Sequence, residues 1–248
     1  MAAGPHSPHT LMIRKLESIF PLSDQEKQAL QNLPVQRQVL KADQDIVRIG
    51  DSPSRCCLLV EGYACVYKVT VEGRRQIVAF HVPGDMPDLQ SLHLKVLDNS
   101  LVTVTPCIVG FIQHDDVRRV CERYPRITAA LWRETLVDAS IYREWVLNVG
   151  RRDAFSRMAH LLCEMRLKLK AVGLAKDDTF DLPFTQSELA DAIGTSNVHV
   201  NRVLQELRAK DLIRSKGTQV TIPDWEKLKE VAGFDPLYLH LENKEAAA

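Results

Sequence analysis

The stretch Phe184-Thr-Gln-Ser-Glu-Leu-Ala-Asp-Ala-Ile-Gly-Thr-Ser-Asn-Val-His-Val-Asn-Arg-Val-Leu-Gln-Glu-Leu207 decides how the rest of this chain is read. Thr185 and Glu188 stand at the capping-box spacing that opens a helix. Leu189, Ala190 and Ile193 then give two turns an apolar face, and Gly194 sits where a helix ends in a left-handed residue. Ser196 reopens the chain as N-cap of a second helix, whose buried stripe is Val200, Val203, Leu204 and Leu207. Two short helices joined by a tight turn containing Gly form a helix-turn-helix.

The second helix keeps Asn197, Val198, Asn201 and Arg202 off that stripe, near its N-terminus. In a helix-turn-helix these first turns enter the major groove of DNA. Arg matches the O6 and N7 acceptors of guanine, Asn pairs with adenine, and Val offers contact only with a thymine methyl. Ser196, His199 and the free amides at the helix start suit a phosphate. Thr185 and Gln186, opening the first helix, complete the expected contact set. A helical hairpin with a solvated face would show the same pattern, so the sequence that follows matters. Asp211-Leu-Ile-Arg-Ser-Lys-Gly-Thr-Gln-Val-Thr-Ile222 predicts two short strands around a Lys216-Gly217 turn. Such a hairpin is the wing of winged-helix DNA readers and would set Arg214 and Lys216 beside the phosphates. Residues 150–222 carry 12 basic and 9 acidic groups, although Lys plus Arg and Asp plus Glu are both 32 over the whole chain.

Working back toward the N-terminus, Ala154 to Ala171 reads as a helix capped by Asp153 and closed by Gly173. From Asp115 to Val149, apolar residues recur at helical spacing: Ile127, Leu131, Leu136, Ile141, Trp145 and Val149. Pro125 is tolerated at a helix's first position and predicts a long helix of about 25 residues beginning there. Gly150, within Asn148–Asp153, is expected to interrupt it. Trp132, Ala139 and Val146 form a second stripe, expected to pack against a twin helix in a homodimer; burial against the chain's own roll is the alternative. Residues 38–112 read as short strands, among them Cys57–Val60, Ala64–Val71, Gln76–Phe80, Leu101–Thr105 and Ile108–Ile112. Gly62, Gly73 and Pro83-Gly84-Asp85 punctuate them, as in an all-β roll or barrel.

With 45% apolar and 26% charged residues over a length of 248, the composition is that of a soluble globular chain. It excludes a disordered chain, a collagen-like fibre and a disulfide-stapled miniprotein. No stretch approaches the roughly 18–20 apolar residues of a membrane span. The first ten residues, MAAGPHSPHT, lack the basic head and apolar core of a signal peptide. The expected location is therefore the cytoplasm, with no membrane partner. There the six cysteines, Cys56, Cys57, Cys65, Cys107, Cys121 and Cys163, are expected to be thiols. They contain no C-x-x-C pair, which argues against a zinc finger or an iron–sulfur cluster.

In this order the segments resemble the CRP/FNR family of bacterial transcription regulators, over about residues 12–235. The resemblance rests on Thr185–Leu207 with its hairpin and on the strand rhythm around Gly62, Gly73 and Pro83-Gly84-Asp85. Asp153-Ala-Phe-Ser-Arg157 followed by Met158-Ala-His-Leu-Leu162 adds to it. It implies an α+β fold: a jelly-roll-like β-roll of the cyclic-nucleotide-binding type over 12–124, then a dimerisation helix over 125–149. A winged helix-turn-helix DNA-binding domain over 150–235 and an acidic tail over 236–248 would follow. It further implies a regulator rather than an enzyme: a homodimer on a double-stranded DNA operator, answering a small-molecule effector, with RNA polymerase as a further partner. In the cyclic-AMP receptor branch an Arg-Glu pair follows the N-cap Ser. Here the pair is Asn197-Val198, with the later Arg retained as Arg202, which implies a different operator.

The resemblance also maps an effector pocket onto Gly84, Asp85, Asn99, Ser100, Tyr142 and Arg143. Members that bind cyclic AMP carry Gly-Glu and then Arg-Ser or Arg-Thr; here the pairs read Gly84-Asp85 and Asn99-Ser100. Losing that guanidinium removes a charge-assisted bidentate contact, so cyclic AMP is not the expected effector, although Arg143 offers a cation from another direction. Met86-Pro87-Asp88 adds a carboxylate beside the pocket. The oxygen-sensing branch needs an N-terminal Cys cluster, and no Cys precedes Cys56. His81, His93 and His114 leave a haem-responsive sensor open, and Cys56-Cys57 a redox one, against a plain hydrogen-bonding or core role for each. The competing class is a cupin-like, metal-dependent enzyme on the same roll, which needs an H-x-H ligand cluster that the sequence lacks.

Overall fold

The structure, a computed structural model, describes residues 7–242, so the expectations for residues 1–6 and 243–248 lie outside the described residues. It divides into two compact units, Met1–Lys68 with Phe80–Ala139 and Val69–Ala79 with Ser140–Ala248.

The first unit opens with two helices that the reading above does not assign, α1 (Pro8–Glu17) and α2 (Asp24–Gln31). Both are signalled locally. Pro8 stands at the start of α1, and Ser23 and Glu26 form a capping box in which Glu26 N donates to Ser23 Oγ and Ser23 N to Glu26 Oε2. Then come β1 (Gln36–Leu40), β2 (Asp45–Val47), β3 (Arg55–Glu61) and β4 (Ala64–Val69), followed in the chain by β5 (Arg75–His81), most of which is counted with the second unit. A 3₁₀ turn at Leu89–Leu92 precedes β6 (Ser100–Thr103) and β7 (Cys107–Gln113). The strands form two sheets, in the orders β1-β7-β3 and β2-β6-β4-β5.

Strand β3 is buried on both faces from Cys56 to Val60, which explains why it reads as a continuous apolar run rather than an alternation. Cys56, Leu58 and Val60 join a core with Met12, Ile13 and Leu16 of α1 and Leu89 and Leu92 of the 3₁₀ turn. Val117 and Val120 of α3 (His114–Arg123) and Ile127, Ala130 and Leu131 of the next helix complete it.

That next helix, α4 (Pro125–Arg151), begins at Pro125 as the spacing predicts. It runs through Gly150 instead of stopping there. Gly150 is exposed with open space around its Cα, and one exposed Gly costs a helix only about 1 kcal/mol. The break falls after Arg151, where Asp153 accepts from Ser156 N at 2.8 Å and caps α5 (Ala154–Ala171). Leu136 departs from its expected stripe: it is 55% exposed and lies with Trp132 (67%) and Val146 (74%).

In the second unit α5 is buried continuously from Met158 to Leu169 and packs against α7 (Asn197–Ala209) and α8 (Trp225–Ala232). The wing carries an unforeseen third strand. The order is β8 (Thr179–Asp181), β10 (Gln219–Thr221), β9 (Arg214–Lys216), all antiparallel. Phe180 of β8 is buried opposite Val220, which is what a strand laid over a two-stranded hairpin contributes.

Residues 236–242, read above as the start of an acidic tail, pack against the unit. Pro236–Leu239 makes a 3₁₀ turn, Leu239 is buried, and Tyr238 donates its hydroxyl to Glu164 at 2.7 Å. Glu164 also accepts from Trp145 Nε1, and burial pushes its carboxyl up. His160 lies beside it, buried and stacked on Tyr238. Among the described residues no helix is long and apolar enough to cross a membrane.

Candidate nucleic-acid interface

Helix α6 (Gln186–Ile193) is set by its caps. Glu188 N donates to Thr185 Oγ1 at 3.2 Å, while Thr185 N and Oγ1 donate to Glu188 Oε2 at 2.6 and 2.9 Å. At the other end Gly194 adopts φ 65°, and Arg157 Nη1 donates to the Ile193 carbonyl at 2.7 Å. One orphan carbonyl of the helix end is thereby satisfied from α5. Ser196 accepts from His199 N at 3.3 Å and starts α7, whose Val200, Val203 and Leu207 are buried. The turn therefore holds two rigid helices, and the exposed residues over the first turns of α7 are Asn197, Val198, His199, Asn201, Arg202 and Gln205.

Six side chains line one open depression of about 320 Å³: Gln186 of α6 and Asn197, Val198, Asn201, Arg202 and Gln205 of α7. Five of these are expected contact residues, brought together across two helices. Gln205 was not singled out, and its signal was available: it stands four residues after Asn201 and three after Arg202, on the same helix face. The remaining expected residues lie outside the depression. Thr185 and Ser196 spend their hydroxyls on helix caps. Arg214 is held by Asp211 through two bonds of 2.9 Å, and Lys216 is exposed on β9.

The residues mapped to an effector pocket divide between the units. Gly84 and Asp85 form a tight turn in the first, where Gly84 has φ +103° and a Cβ would fall 2.8 Å from the Leu11 carbonyl. Glycine is thus required by the approach of α1. The buried Asp85 accepts from Val82 N at 3.1 Å, and its Oδ2 lies 3.2 Å from His81 Nδ1. Asn99 is half-buried, and Ser100 is buried with its Oγ accepting from Ile49 N at 3.1 Å. Tyr142 and Arg143 belong to the second unit, where Arg143 Nη2 donates to Ser140 Oγ at 2.7 Å. The first unit also holds an apolar cavity of about 280 Å³, lined by Leu89, Leu92, Cys121, Leu131, Trp132 and Thr135 among others. Of its lining the sequence singles out His93 as a candidate haem ligand, Cys121 as a thiol, and Leu131 and Trp132 as helix stripe residues, but not as one cavity.

The three roll histidines sit in different surroundings: His81 against Asp85, His114 buried with Nε2 2.9 Å from Ser91 Oγ, and His93 exposed. Cys56 and Cys57 are both fully buried, and burial pushes the Cys56 thiol up to about 12. A thiol held protonated in this way is a poor nucleophile.

Residues 37–124 match the cyclic nucleotide-binding domain and residues 156–231 the Crp-like helix-turn-helix domain. The chain is 27% identical over 199 residues to the transcriptional activator protein FnrL of Cereibacter sphaeroides, covering 79% of each. It is 26% identical over 196 residues to a probable transcriptional activator of Rhizobium leguminosarum, covering 79% of this chain and 80% of that one. Among solved structures it is similar to FixK2 from Bradyrhizobium japonicum, with a TM-score of 0.74, 22% identity, and coverage of 82% of this chain and 100% of that one. The two matched regions fall on the roll and on the α5–α8 segment, so the chain belongs to the CRP/FNR family: a transcription regulator with a cyclic-nucleotide-binding-type sensor domain and a helix-turn-helix DNA-binding domain.

Proposed function

We propose that the protein works as a homodimer that reads a two-fold symmetric operator with α7, and that its roll answers an effector other than cyclic AMP. The observation carrying the DNA reading is the exposed depression in which Gln186, Asn197, Val198, Asn201, Arg202 and Gln205 meet. It presents donors and acceptors for base edges on the first turns of a rigid helix. Arg202 reads a guanine, Asn197 or Asn201 an adjacent adenine, and Val198 contacts a thymine methyl. Lys216 lies against backbone phosphate, as does Arg214 once it leaves Asp211.

The dimer rests on α4. Trp132, Leu136, Ala139, Arg143, Val146 and Gly150 follow one another at alternating spacings of four and three, and Trp132, Leu136 and Val146 are exposed apolar side chains. That repeat keeps one seam facing a partner helix along a coiled coil. Genomic footprinting with the purified protein tests the whole reading. The expected result is a set of inverted-repeat sites whose half-sites lie about one helical turn, ~34 Å, apart. Asymmetric protection, or retention that follows salt but no sequence, would overturn it.

A further inference from the structure

We propose that the ammonium of Lys15 serves as a built-in ligand of the Gly84-Asp85 turn, strapping α1 and that turn to α4 and closing the turn to anionic effectors. The regulator reading enters only in treating this turn as an effector site. Lys15 is buried, with Nζ 3.5 Å from Asp85 Oδ1 and 3.4 Å from Glu134 Oε1. Asp85 and Glu134 are buried as well, so the contact joins three elements out of reach of solvent. Asp138, one turn beyond Glu134 on α4, adds a further carboxylate to the field around the ammonium. Burial alone would pull the Lys15 ammonium down; Glu134, Asp85 and Asp138 outweigh it and hold the group above the ordinary lysine range.

This arrangement settles what the turn accepts. Asp85, Glu134 and Asp138 all act on this ammonium, so its charge is already met by the chain's own carboxylates and is not left over for a phosphate diester. The Lys15 ammonium is already engaged on two sides. Space is taken too: at Gly84 the Leu11 carbonyl stands 2.8 Å, and the Lys15 Cβ 3.3 Å, from where a Cβ would be. The close backbone approach that a glycine permits is used here by the chain's own helix.

The strap is tested on the full chain by thermal unfolding. Lys15→Met keeps the stem and deletes the charge, leaving buried carboxylates without their cation. Its Tm is expected to fall by about 10 °C, the scale of breaking a buried pair in a chain of this size. Adding Glu134→Gln to Lys15→Met removes one stranded carboxylate and is expected to recover at least half of that loss. A single variant that fails to fold beside a double variant that folds supports the strap equally. An unchanged Tm in Lys15→Met, or a double variant as impaired as the single one, would show that only the stem matters and overturn it. Calorimetry with cyclic AMP completes the test: binding abolished by Asp85→Ala would overturn the closure. Operator binding by the wild type is measured separately. Its absence would sink the regulator reading and leave the Tm pattern standing.

Discussion

Arg202 and Arg214 carry the same charge in the same unit but are prepared for different contacts. Arg202 lines the depression among amide side chains, whereas Arg214 is pinned by both oxygens of Asp211. Arg202→Ala is expected to cost about 1–3 kcal/mol on the operator and to relax preference at one base pair. Asp211→Ala releases Arg214 and is expected to tighten operator and unrelated DNA alike, steepening the salt dependence by about one unit. Fluorescence anisotropy on both DNAs separates the two; an equal loss on both DNAs for Arg202→Ala would make that residue a phosphate clamp. At this scale the sequence shows which α7 residues face outward, because Val200, Val203 and Leu207 define the buried side. The cap spacing also marks Thr185 and Ser196, and both hydroxyls do cap their helices; residue type alone does not separate that role from a phosphate contact, since both use the same side chains.

Helix α4 shows how exposure, rather than apolarity, identifies a seam. By residue type Leu136 and Ile141 are equivalent, yet Leu136 is exposed and Ile141 buried. Only the packing around each tells them apart. Leu136→Asp or Val146→Asp is expected to weaken dimerisation at least thirty-fold, about 2 kcal/mol for an apolar side chain lost from the seam. Sedimentation equilibrium reads this directly, and a wild type that stays monomeric at micromolar concentration would refute the seam. Pro125 and Asp153 made the starts of α4 and α5 legible, because each acts within a single turn of helix. Strands β1 and β8 were not: Gln36–Leu40 is exposed except for Leu40, and β8 is three residues long. Each acquires its identity from the strand it pairs with, Cys107–Phe111 for β1 and β10 for β8.

Over the whole molecule, two buried groups, one in each unit, link stability to pH in opposite senses. Burial raises Asp88 from 3.8 to about 7, although Cys57 N donates to it. Between those values the folded chain keeps a proton that the unfolded chain has lost. The contribution of Asp88 is therefore complete below 3.8 and declines as pH rises to 7. His160 is the reverse. Burial, with Arg152 nearby, lowers it from 6.5 to about 3, and Glu144, its neighbour at 3.2 Å, is already engaged by Arg152 at 2.8 Å. Its contribution is complete above 6.5 and declines as pH falls toward 3. Each slope is about 1.4 kcal/mol per pH unit, so the contributions of these two groups offset each other between pH 4.5 and 6. Relative to the wild type, Asp88→Asn is expected to make stability rise more with pH over that window, and His160→Gln to make it fall more. Urea unfolding at three pH values checks both signs, and parallel slopes in the two variants would contradict the assignment.

The placement of the three tryptophans gives the molecule an optical gauge of its own association. Trp145 is enclosed with its indole N–H on Glu164, Trp225 lies under the Arg166 guanidinium at 4.0 Å, and Trp132 is exposed on the proposed seam. In the proposed dimer only Trp132 would pass from an aqueous to an apolar setting. Emission should therefore shift to the blue as concentration rises, over a constant background from the other two. Trp132→Phe should abolish that concentration dependence, so no attached dye is needed to follow the two chains coming together.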